Sequence, residues 1–297
     1  MLVEPDSIFN KFDIYSFDDL VDRISPDNSD YTEDDNPLYN FIGYHILEGS
    51  RFLDDFSGYN TNYSTYSQIP LNIYDLSIDN EGFDIAINKE KLVFDTIFQK
   101  EDTILIDYIK FLYDESNVLT QSGAIHFVDQ LLEQQPPERK EQWFSFWEEP
   151  LFNEYREEPG EYIIEDTASL DWVKWSGADL FFVELGEQNT SAWGNDYLEI
   201  EGDFIISYEI PKIIQGKYEV FLGAEAFNSR NALVEVFIDD KKVSGLVDLS
   251  IGGSSNYPFQ SILLGTIDFQ RYDSHKVEIR PLIPGRFLWD YIRFEPI

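Results

Sequence analysis

The chain has 297 residues, enough for two domains of ordinary size that each bury a hydrophobic core. It carries 57 acidic and 21 basic side chains, so its formal net charge is -36. A surface of that sign repels phosphate groups and anionic lipid, and we expect no nucleic acid partner. Aromatic residues make up 16% of the chain, which argues against disorder, and the lack of cysteine excludes disulfides and thiolate chemistry.

The start of the chain does not read as a signal peptide. Met1, Leu2 and Val3 are followed by acidic and proline residues rather than by an apolar core. No apolar run approaches the roughly 20 residues that a membrane-spanning helix needs. We therefore expect no membrane insertion by this chain, and the signal of an exported protein would lie upstream of residue 1.

Two helices are predicted early in the chain. Ser16 is a predicted N-cap, since Asp19 follows three residues later and the apolar residues beyond it recur at helical spacing. Asn36 followed by Pro37 predicts the start of a second helix. The Tyr-His-Ile-Leu run at 44–47 is predicted to be a strand. Further β-prone segments follow at 71–76, 83–88, 91–94 and 104–112.

The segment 116–133, SNVLTQSGAIHFVDQLLE, contains two β-prone runs separated by a turn with glycine. The second run is apolar on both faces, which is typical of a strand inside a domain. Together with residues 2–9 and the Tyr-His pair at 44–45, this string resembles the signature segments of fasciclin domains. The resemblance implies an α+β fasciclin-like domain over residues 1–134, without its first helices, whose framework residues are Tyr44, His45, Asn117, Gly123, His126 and Asp129.

The chain has only three histidines, at positions 45, 126 and 275, and no two of them have the spacing of metal ligands. We therefore favour a structural role for each, in which the imidazole satisfies buried backbone groups, over a role as ligand or base.

Residues 135–160 are predicted to be an aromatic linker. The segment opens with a polar, proline-containing stretch and continues with Trp143 and Trp147. Because a free linker would not carry two tryptophans, we expect it to pack on one or both domains.

From residue 161 to 297 the pattern is all β, with seven β-prone runs separated by Gly, Asn, Asp and Pro clusters. That number and spacing fit a β-sandwich. Four segments, at 196–199, 216–220, 236–239 and 289–292, resemble strands of galactose-binding-like jelly rolls, a fold used by carbohydrate-binding modules. The resemblance implies an all-β jelly-roll sandwich domain with a glycan as its ligand.

Candidate sugar-binding residues are aromatic, because the apolar face of a sugar packs on an aromatic ring. Trp193 and Asn195 fall in one predicted loop, and Asn256 and Tyr257 fall in another, where binding residues tend to lie. An amide beside a ring also offers both a donor and an acceptor to sugar hydroxyls. Two further candidates are Trp172 and Trp175, although most aromatic residues of a sandwich belong to its core.

The same resemblance implies a structural calcium that joins acidic residues of the first strand to an aspartate of the last. The matching residues are Glu165, Asp166 and Asp290, and their oxygen atoms suit calcium. The family's Glu-x-Glu pattern is broken at Thr167, so solvated carboxylates are an equal alternative. No other cofactor is predicted.

The chain has no Gly-x-Ser-x-Gly elbow, phosphate-binding loop or His-Glu-x-x-His motif. The sequence therefore predicts a non-enzymatic adhesion or glycan-binding protein at a bacterial cell surface, exported and lipid-anchored. The alternative is a structural or protein-binding subunit of a surface complex, without affinity for sugar. The identity of the glycan or protein partner and the oligomeric state are not fixed by the sequence.

Overall fold

The computed structural model describes residues 1–56, 60–67, 69–75, 85–88, 93–94, 104–105, 108–186 and 191–297. The chain divides into two compact units, Met1–Glu138 and Arg139–Ile297, which we call unit 1 and unit 2. Each unit has its own hydrophobic core. No helix in these described ranges is long and apolar enough to span a membrane.

Unit 1 combines short helices with short strands. Its helices are α1 Asp6–Lys11, α2 Phe17–Ile24 and α3 Pro37–Tyr44. Its strands are β1 Leu2–Val3, β2 Thr61–Tyr63, β3 Leu71–Asp75, β4 Ile85–Ile87, β5 Val93–Phe94, β6 Ile104–Leu105, β7 Ile109–Lys110, β8 Val118–Thr120 and β9 Gly123–Phe127.

The two helix starts predicted from the sequence are confirmed by their caps. The Ser16 hydroxyl accepts a hydrogen bond from the Asp19 N–H at 3.2 Å. The Asn36 side-chain oxygen accepts from the N–H groups of Leu38 and Tyr39 at 2.8 and 3.1 Å. These bonds satisfy backbone donors that the first turn of a helix leaves without partners.

The predicted strand at 44–47 is wrong. Tyr44 is the last residue of α3, and His45 is the residue that caps the end of the helix. Only Leu47 makes an isolated β-bridge, to Thr65. The helix extends this far because its apolar residues, including Phe41 and Tyr44, are buried, and burial outweighs the weak strand preference of the segment.

The described residues of unit 1 form three sheets. Strand β9 lies between β1, which runs parallel to it, and β8, which runs antiparallel. Strands β2, β3, β4 and β7 form a second sheet in that order, and β5 pairs with β6. Within β9 and the residue after it, Ala124, His126 and Val128 are buried, whereas Ile125 and Phe127 are half-buried. The histidine therefore points into the protein, beside Leu2 of the neighbouring strand.

Unit 2 is built almost entirely of strands. They are β10 Gln142–Phe144, β11 Gly160–Ile164, β12 Val173–Ser176, β13 Leu180–Glu184, β14 Asp196–Gly202, β15 Ile205–Ile213, β16 Gly216–Glu225, β17 Leu233–Ile238, β18 Lys241–Lys242, β19 Val247–Asp248, β20 Phe259–Phe269, β21 Asp273–Ile283 and β22 Gly285–Pro296. A single helix among the described residues, α4 Pro150–Tyr155, interrupts them after β10.

These strands form two sheets that enclose one core. The first sheet has the order β11-β13-β14-β22-β16-β20, with β10 pairing along the end of β22. The second has the order β12-β15-β21-β17-β18, with β19 also pairing with β17. Residues of both sheets share one hydrophobic cluster, in which the rings of Tyr208 and Trp289 lie 6.2 Å apart. The predicted β-sandwich is therefore confirmed.

Residues 139–160 belong to the sandwich instead of forming a linker over 135–160. Strand β10 pairs antiparallel with β22, opposite residues 292–294. Phe144, Phe146 and Phe152 are buried in the core of unit 2. Burying a phenylalanine contributes on the order of 2 kcal/mol, so this segment is a large part of the core.

A buried carboxylate fixes the same segment to β12. Glu149 is fully buried, and its oxygens accept hydrogen bonds from the N–H groups of Asp171, Trp172 and Val173 at 3.0, 2.9 and 3.3 Å. Three N–H donors compensate the loss of hydration of the charge. Glu149 is thus a structural residue, which the composition of the segment alone does not reveal.

Candidate functional site

A pocket of about 440 Å³ lies in unit 2, between the turn that precedes β14 and the strands β20 and β22. Its volume falls within the range of about 300–1,000 Å³ that is typical of small-molecule sites. The residues that line it are Trp143, Ser191, Ala192, Trp193, Gly194, Asn195, Phe259, Gln260, Ser261, Asp290 and Tyr291.

Three aromatic rings form one wall of the pocket. The indoles of Trp143 and Trp193 are stacked, with centroids 5.1 Å apart and an angle of 17° between their planes. The Tyr291 ring lies 4.6 Å from Trp143 and 6.2 Å from Trp193. The two indoles are too close for another ring to enter between them, so a ligand must contact the outer surface of this group. Trp193, which is 42% exposed, offers that surface.

Strand β10 brings Trp143 into the site. Its partner across the strand pair is Arg293 of β22, and side chains opposite one another share a face of the sheet. The Arg293 guanidinium lies 5.0 Å from the Trp143 ring centroid and 3.9 Å from that of Phe221. It also forms ion pairs with Glu141 and Glu295. The cation thus fixes the orientation of the indole.

Tyr291 reaches the pocket because its neighbour across the sheet is a glycine. Gly223 of β16 pairs with Tyr291 on one side and with Ser261 of β20 on the other. A Cβ atom at Gly223 would lie 2.4 Å from the tyrosine ring, so the ring packs directly on the glycine backbone. Burial raises the pKa of the Tyr291 hydroxyl, and its hydrogen bond with Ser261 acts in the opposite direction.

A short turn over Trp193–Asn195 presents the outer indole. Gly194 and Asn195 have positive φ angles of 76° and 67°, a conformation that glycine and asparagine tolerate better than other residues. The backbone N–H of Trp193 donates a hydrogen bond to Asp290 Oδ2 at 3.0 Å. The turn is therefore fastened to β22 beneath it.

A break in strand pairing sets the position of Asp290. Gly223 pairs with Tyr291 while the next residue, Ala224, pairs with Trp289, so Asp290 is an extra residue on β22. A bulge of this kind changes the direction of side chains locally and is common beside functional sites. It allows the aspartate and the tyrosine that follows it to line the same pocket.

Two buried carboxylates lie beneath the turn. Asp290 is 1% exposed, and its Oδ1 atom has no hydrogen-bond partner. Burial raises the pKa of Asp290 to about 8, which the Trp193 N–H opposes and the negative charge of Asp196 reinforces. Burial also raises the pKa of Asp196, to about 6, against the effect of Arg156, whose Nε lies 2.6 Å from Asp196 Oδ2. Near neutral pH, Asp290 therefore carries a proton, and Asp196 is the ionised partner of the arginine.

Three of the residues predicted from the sequence meet in this pocket: Trp193, Asn195 and Asp290. The loop residues Asn256 and Tyr257 are exposed, the tyrosine by 75%, and neither lines the pocket. The loop contributes indirectly, because the Tyr257 carbonyl accepts a hydrogen bond from the Gln260 side chain at 2.8 Å.

Trp172 and Trp175 lie elsewhere in unit 2. Both pack against its hydrophobic core, and neither lines the pocket. The indole N–H of Trp175 donates to the Ala178 carbonyl at 3.1 Å, and the backbone N–H of Trp172 donates to Glu149. Their positions are those of structural residues.

The predicted calcium site requires a correction. The described ranges contain no group of three or more acidic or histidine residues that could hold a metal ion. Glu165 and Asp166 are exposed, and Asp166 Oδ1 accepts a hydrogen bond from the Ala168 N–H, which caps a 3-10 turn. These two carboxylates do not gather with Asp290 into a ligand set. The alternative prediction, in which these carboxylates are solvated or cap a turn, describes Glu165 and Asp166.

The framework residues of unit 1 make internal contacts. His126 Nε2 lies 2.9 Å from the Arg51 carbonyl, and its Nδ1 atom accepts from the Asn117 N–H at 3.3 Å. A carbonyl only accepts, so Nε2 carries the proton and the ring is neutral. Burial lowers the pKa of His126, which favours the same neutral form.

His45 is enclosed in the same manner. Its Nδ1 atom lies 2.7 Å from the Phe41 carbonyl, and its Nε2 atom lies 2.8 Å from Glu4 Oε1. That carboxylate oxygen also accepts from the Leu132 N–H at 2.8 Å. The pair therefore joins β1 to the end of α3 and to the segment after β9.

The other predicted framework residues have comparable roles. The Tyr44 hydroxyl donates to Asn88 Oδ1 at 3.0 Å, and burial raises its pKa to about 12. Asp129 Oδ1 accepts from the Lys110 N–H at 2.8 Å. Gly123 has a positive φ of 134° at the first residue of β9. None of these contacts leaves a group directed at a ligand.

Several pocket residues escaped sequence reasoning. Trp143 was assigned to a linker, and no pattern indicated that its strand pairs with β22. Tyr291 follows Trp289, which is buried in the core, and Asp290, which lines the pocket. Only the bulge in β22 turns the Tyr291 side chain toward the pocket as well. Three lining residues belong to β20: Phe259, Gln260 and Ser261. The first two lie between the predicted loop 250–258 and the predicted strand 261–268, and Ser261 is the first residue of that predicted strand. Their closeness to that loop was the available signal.

No family model matches the sequence. No match is found among the curated proteins. The resemblance of unit 1 to fasciclin domains therefore has no support from either comparison.

Solved structures do give matches. They include a family 35 carbohydrate binding module from Clostridium thermocellum, 14% identical over 47% of this chain and 99% of the module, with a TM-score of 0.31. CBM35 from Paenibacillus barcinonensis is 12% identical over 46% of this chain and 99% of its own, with a TM-score of 0.31. The Podospora anserina GH26-CBM35 β-(1,4)-mannanase is 16% identical over 47% of this chain, with a TM-score of 0.31. The match spans only 28% of the mannanase.

Because the identities and TM-scores are low, the assignment of unit 2 as a β-sandwich rests on the strand pairing and shared core described above.

Proposed function

We propose that this protein binds a glycan in the pocket of unit 2. The observation that carries the proposal is the exposed indole of Trp193, held against Trp143 and Tyr291 at the wall of a pocket that also contains amide and hydroxyl groups. An aromatic surface of this kind suits the C–H face of a sugar ring, because both are apolar.

Polar groups in the same lining supply hydrogen-bonding capacity. The Asn195 side chain contains a donor and an acceptor, and the Ser261 hydroxyl can act as either. The Gln260 nitrogen donates to the Tyr257 and Phe259 carbonyls, and its side-chain oxygen is an acceptor. Sugar hydroxyls need both kinds of partner. Since the pocket offers one exposed aromatic surface and only a few polar groups, we expect weak binding, with a Kd on the order of micromolar to millimolar.

Binding without catalysis is part of the proposal. Hydrolysis of a glycosidic bond ordinarily uses two carboxyl groups that face the bond from opposite sides. Asp290 is the one carboxyl group among the described lining residues, and it is engaged with the Trp193 N–H. Asp196 nearby is paired with Arg156.

The cellular setting belongs to the proposal as well. We place the protein at a bacterial cell surface, exported and lipid-anchored, with adhesion or glycan capture as its role. The fasciclin-like character of unit 1 is included on its sequence motifs alone. The acidic composition and the absence of cysteine are compatible with that setting.

A glycan array with the full chain tests the proposal, followed by calorimetry on each sugar that binds. Trp193→Ala should weaken binding by tenfold or more, because it removes the exposed ring. Tyr257→Ala is the matched control, since Tyr257 is a still more exposed aromatic residue outside the pocket. A blank array over plant, host and bacterial glycans, or equal losses in both variants, would contradict the assignment of this pocket.

A second candidate is binding of another protein. Aromatic side chains of unit 1 are exposed around α2, among them Tyr15 by 70% and Phe17 by 56%. Replacing both by serine should abolish a protein contact made there and leave sugar binding unaffected. Affinity for a surface protein without affinity for any glycan would favour this second function.

A further inference from the structure

We infer that the pocket of unit 2 selects uncharged sugars and rejects uronic acids and other anionic sugars. This inference rests on the proposed glycan binding and names the class of glycan that the same pocket takes. It follows from which charges the pocket offers and which it lacks.

The described lining contains no basic side chain. Ten of its eleven residues are aromatic, small or neutral polar, and the eleventh, Asp290, is a carboxyl group that carries a proton near neutral pH. A carboxylate or sulfate on the ligand would therefore find no cation among these residues.

The arginines next to the site are already committed to other groups. Arg293 packs between Trp143 and Phe221 and pairs with Glu141 and Glu295. Its guanidinium would have to leave two carboxylates and two aromatic rings to reach a ligand.

The other two arginines are held as firmly. Arg156 pairs with Asp196 at 2.6 Å and also lies over the Trp147 ring. Arg286 makes a two-pronged contact with Glu199, at 2.7 and 3.0 Å, and a further one with Glu225 at 3.3 Å. Two-pronged contacts between guanidinium and carboxylate are among the strongest polar interactions in proteins.

An anionic ligand would also meet a repulsive field. The chain as a whole has a formal net charge of -36, and the one arginine close to Asp196 beneath the turn is already balanced by that carboxylate. Removing a carboxylate from water without providing a cation is costly, and repulsion adds to that cost. A neutral hydroxymethyl group at the same position of the sugar meets neither penalty.

The test compares oligosaccharides that differ only at C6, where one member of each pair has a hydroxymethyl group and the other a carboxylate. Glucose, galactose and mannose series with their uronic acid counterparts are titrated into the full chain at neutral pH and 150 mM salt. For any series that binds, we expect the Kd of the neutral sugar to be at least tenfold lower than the Kd of its uronic acid counterpart.

Gln260→Lys sharpens the test, because it places a cation in the lining beside Ser261. The variant should reduce the preference for the neutral sugar by tenfold or more, and salt should restore part of it. Equal or tighter binding of a uronic acid by the original chain, lost in Trp193→Ala, would overturn the inference while the proposed function stands. Failure of every sugar, neutral or charged, to bind would overturn both.

Discussion

Buried polar groups occur in both units, but their surroundings differ. In unit 1, His126 and His45 each use both ring nitrogens for contacts within the protein, to backbone groups or to Glu4. In unit 2, Asp290 keeps one oxygen without a partner and lies beside a pocket with an exposed indole. The first arrangement is complete in itself, whereas the second leaves space and binding capacity at the surface.

The difference shows why residue type alone misleads. A histidine in an apolar strand attracts attention as a catalytic or ligand-binding residue, yet here its hydrogen bonds are consumed by the fold. The aspartate of unit 2 is equally buried, but it holds a turn whose tryptophan faces solvent. We therefore look for function where the fold presents apolar surface and polar groups together, and each prediction below tests that distinction.

The largest expected effect concerns the buried pair in unit 1. Glu4→Ala removes the acceptor of the Leu132 N–H and the partner of His45 together. Loss of one member of a buried pair typically costs about 3–5 kcal/mol of unfolding free energy. Denaturant titration of the variant measures that cost, and Glu4→Gln, which keeps an acceptor, should cost less. If Glu4→Ala lost sugar binding but kept its stability, the buried pair of unit 1 would serve binding and not the fold, which contradicts this account.

Asp290→Asn should stabilise the protein, in a manner that depends on pH. The pKa of Asp290 is about 8 in the folded chain and near 4 when unfolded, so the folded state holds a proton that the unfolded state loses between these values. The contribution of Asp290 to the unfolding free energy of the original chain therefore falls as the pH rises from about 4 to about 8. The amide has no such proton and still accepts from the Trp193 N–H.

The advantage of Asp290→Asn should thus grow from pH 4 to pH 8, by on the order of 5 kcal/mol. Thermal unfolding at pH 4.5, 6, 7.5 and 8.5 measures it. Asp239→Asn is the control, because that carboxylate is half exposed and bonded to His275 in the second sheet. An advantage for Asp290→Asn that is constant with pH would show that Asp290 is charged in the folded chain at all these values.

Gly223→Ala should disturb both the packing of the first sheet and the pocket. The added Cβ would lie 2.4 Å from the Tyr291 ring, which must move away from β16 and from Ser261. We expect a stability loss of about 1–3 kcal/mol, as for other overpacked sites, and at least fivefold weaker sugar binding. Gly245→Ala is a suitable control, because a Cβ there meets no atom within 4 Å. Unchanged sugar affinity in Gly223→Ala would remove Tyr291 from the site.

The smallest expected effect is the pH dependence that His126 contributes. Burial lowers its pKa in the folded chain, so the unfolded chain binds the proton more tightly. The contribution of neutral His126 to the unfolding free energy is therefore fully present above pH 6.5 and is lost as the pH falls below that value. The unfolding free energies of the original chain and of His126→Gln are measured at pH 7.5 and at pH 5.5. The loss of free energy between the two pH values should be smaller in the variant. A steeper acid loss in the variant would contradict the neutral ring.

Some of this could be predicted from the sequence. The caps at Ser16 and Asn36 and the long strands of unit 2 follow local rules of hydrogen bonding and alternation, and local rules can be read along the chain. Trp193 was found for a similar reason, since its neighbours Gly194 and Asn195 indicate a turn.

The rest depends on contacts between distant segments. Trp143 meets Tyr291 only because β10 pairs with β22, almost 150 residues later in the chain. The positions of Asp290 and Tyr291 depend on a bulge that no alternation pattern predicts. The end of α3 was misjudged because Tyr44 and His45 fit a strand equally well until burial decides between the two.

The most direct test of the central claim is nitrogen-15 NMR of the indole N–H groups during a sugar titration. The chain has six tryptophans, so a spectrum contains six such signals, which single Trp→Phe variants assign. If the pocket is the site, the Trp193 and Trp143 signals should shift saturably with one Kd, while those of Trp172 and Trp175 stay in place. Shifts confined to Trp172 or Trp175, with Trp193 and Trp143 unmoved, would contradict the account.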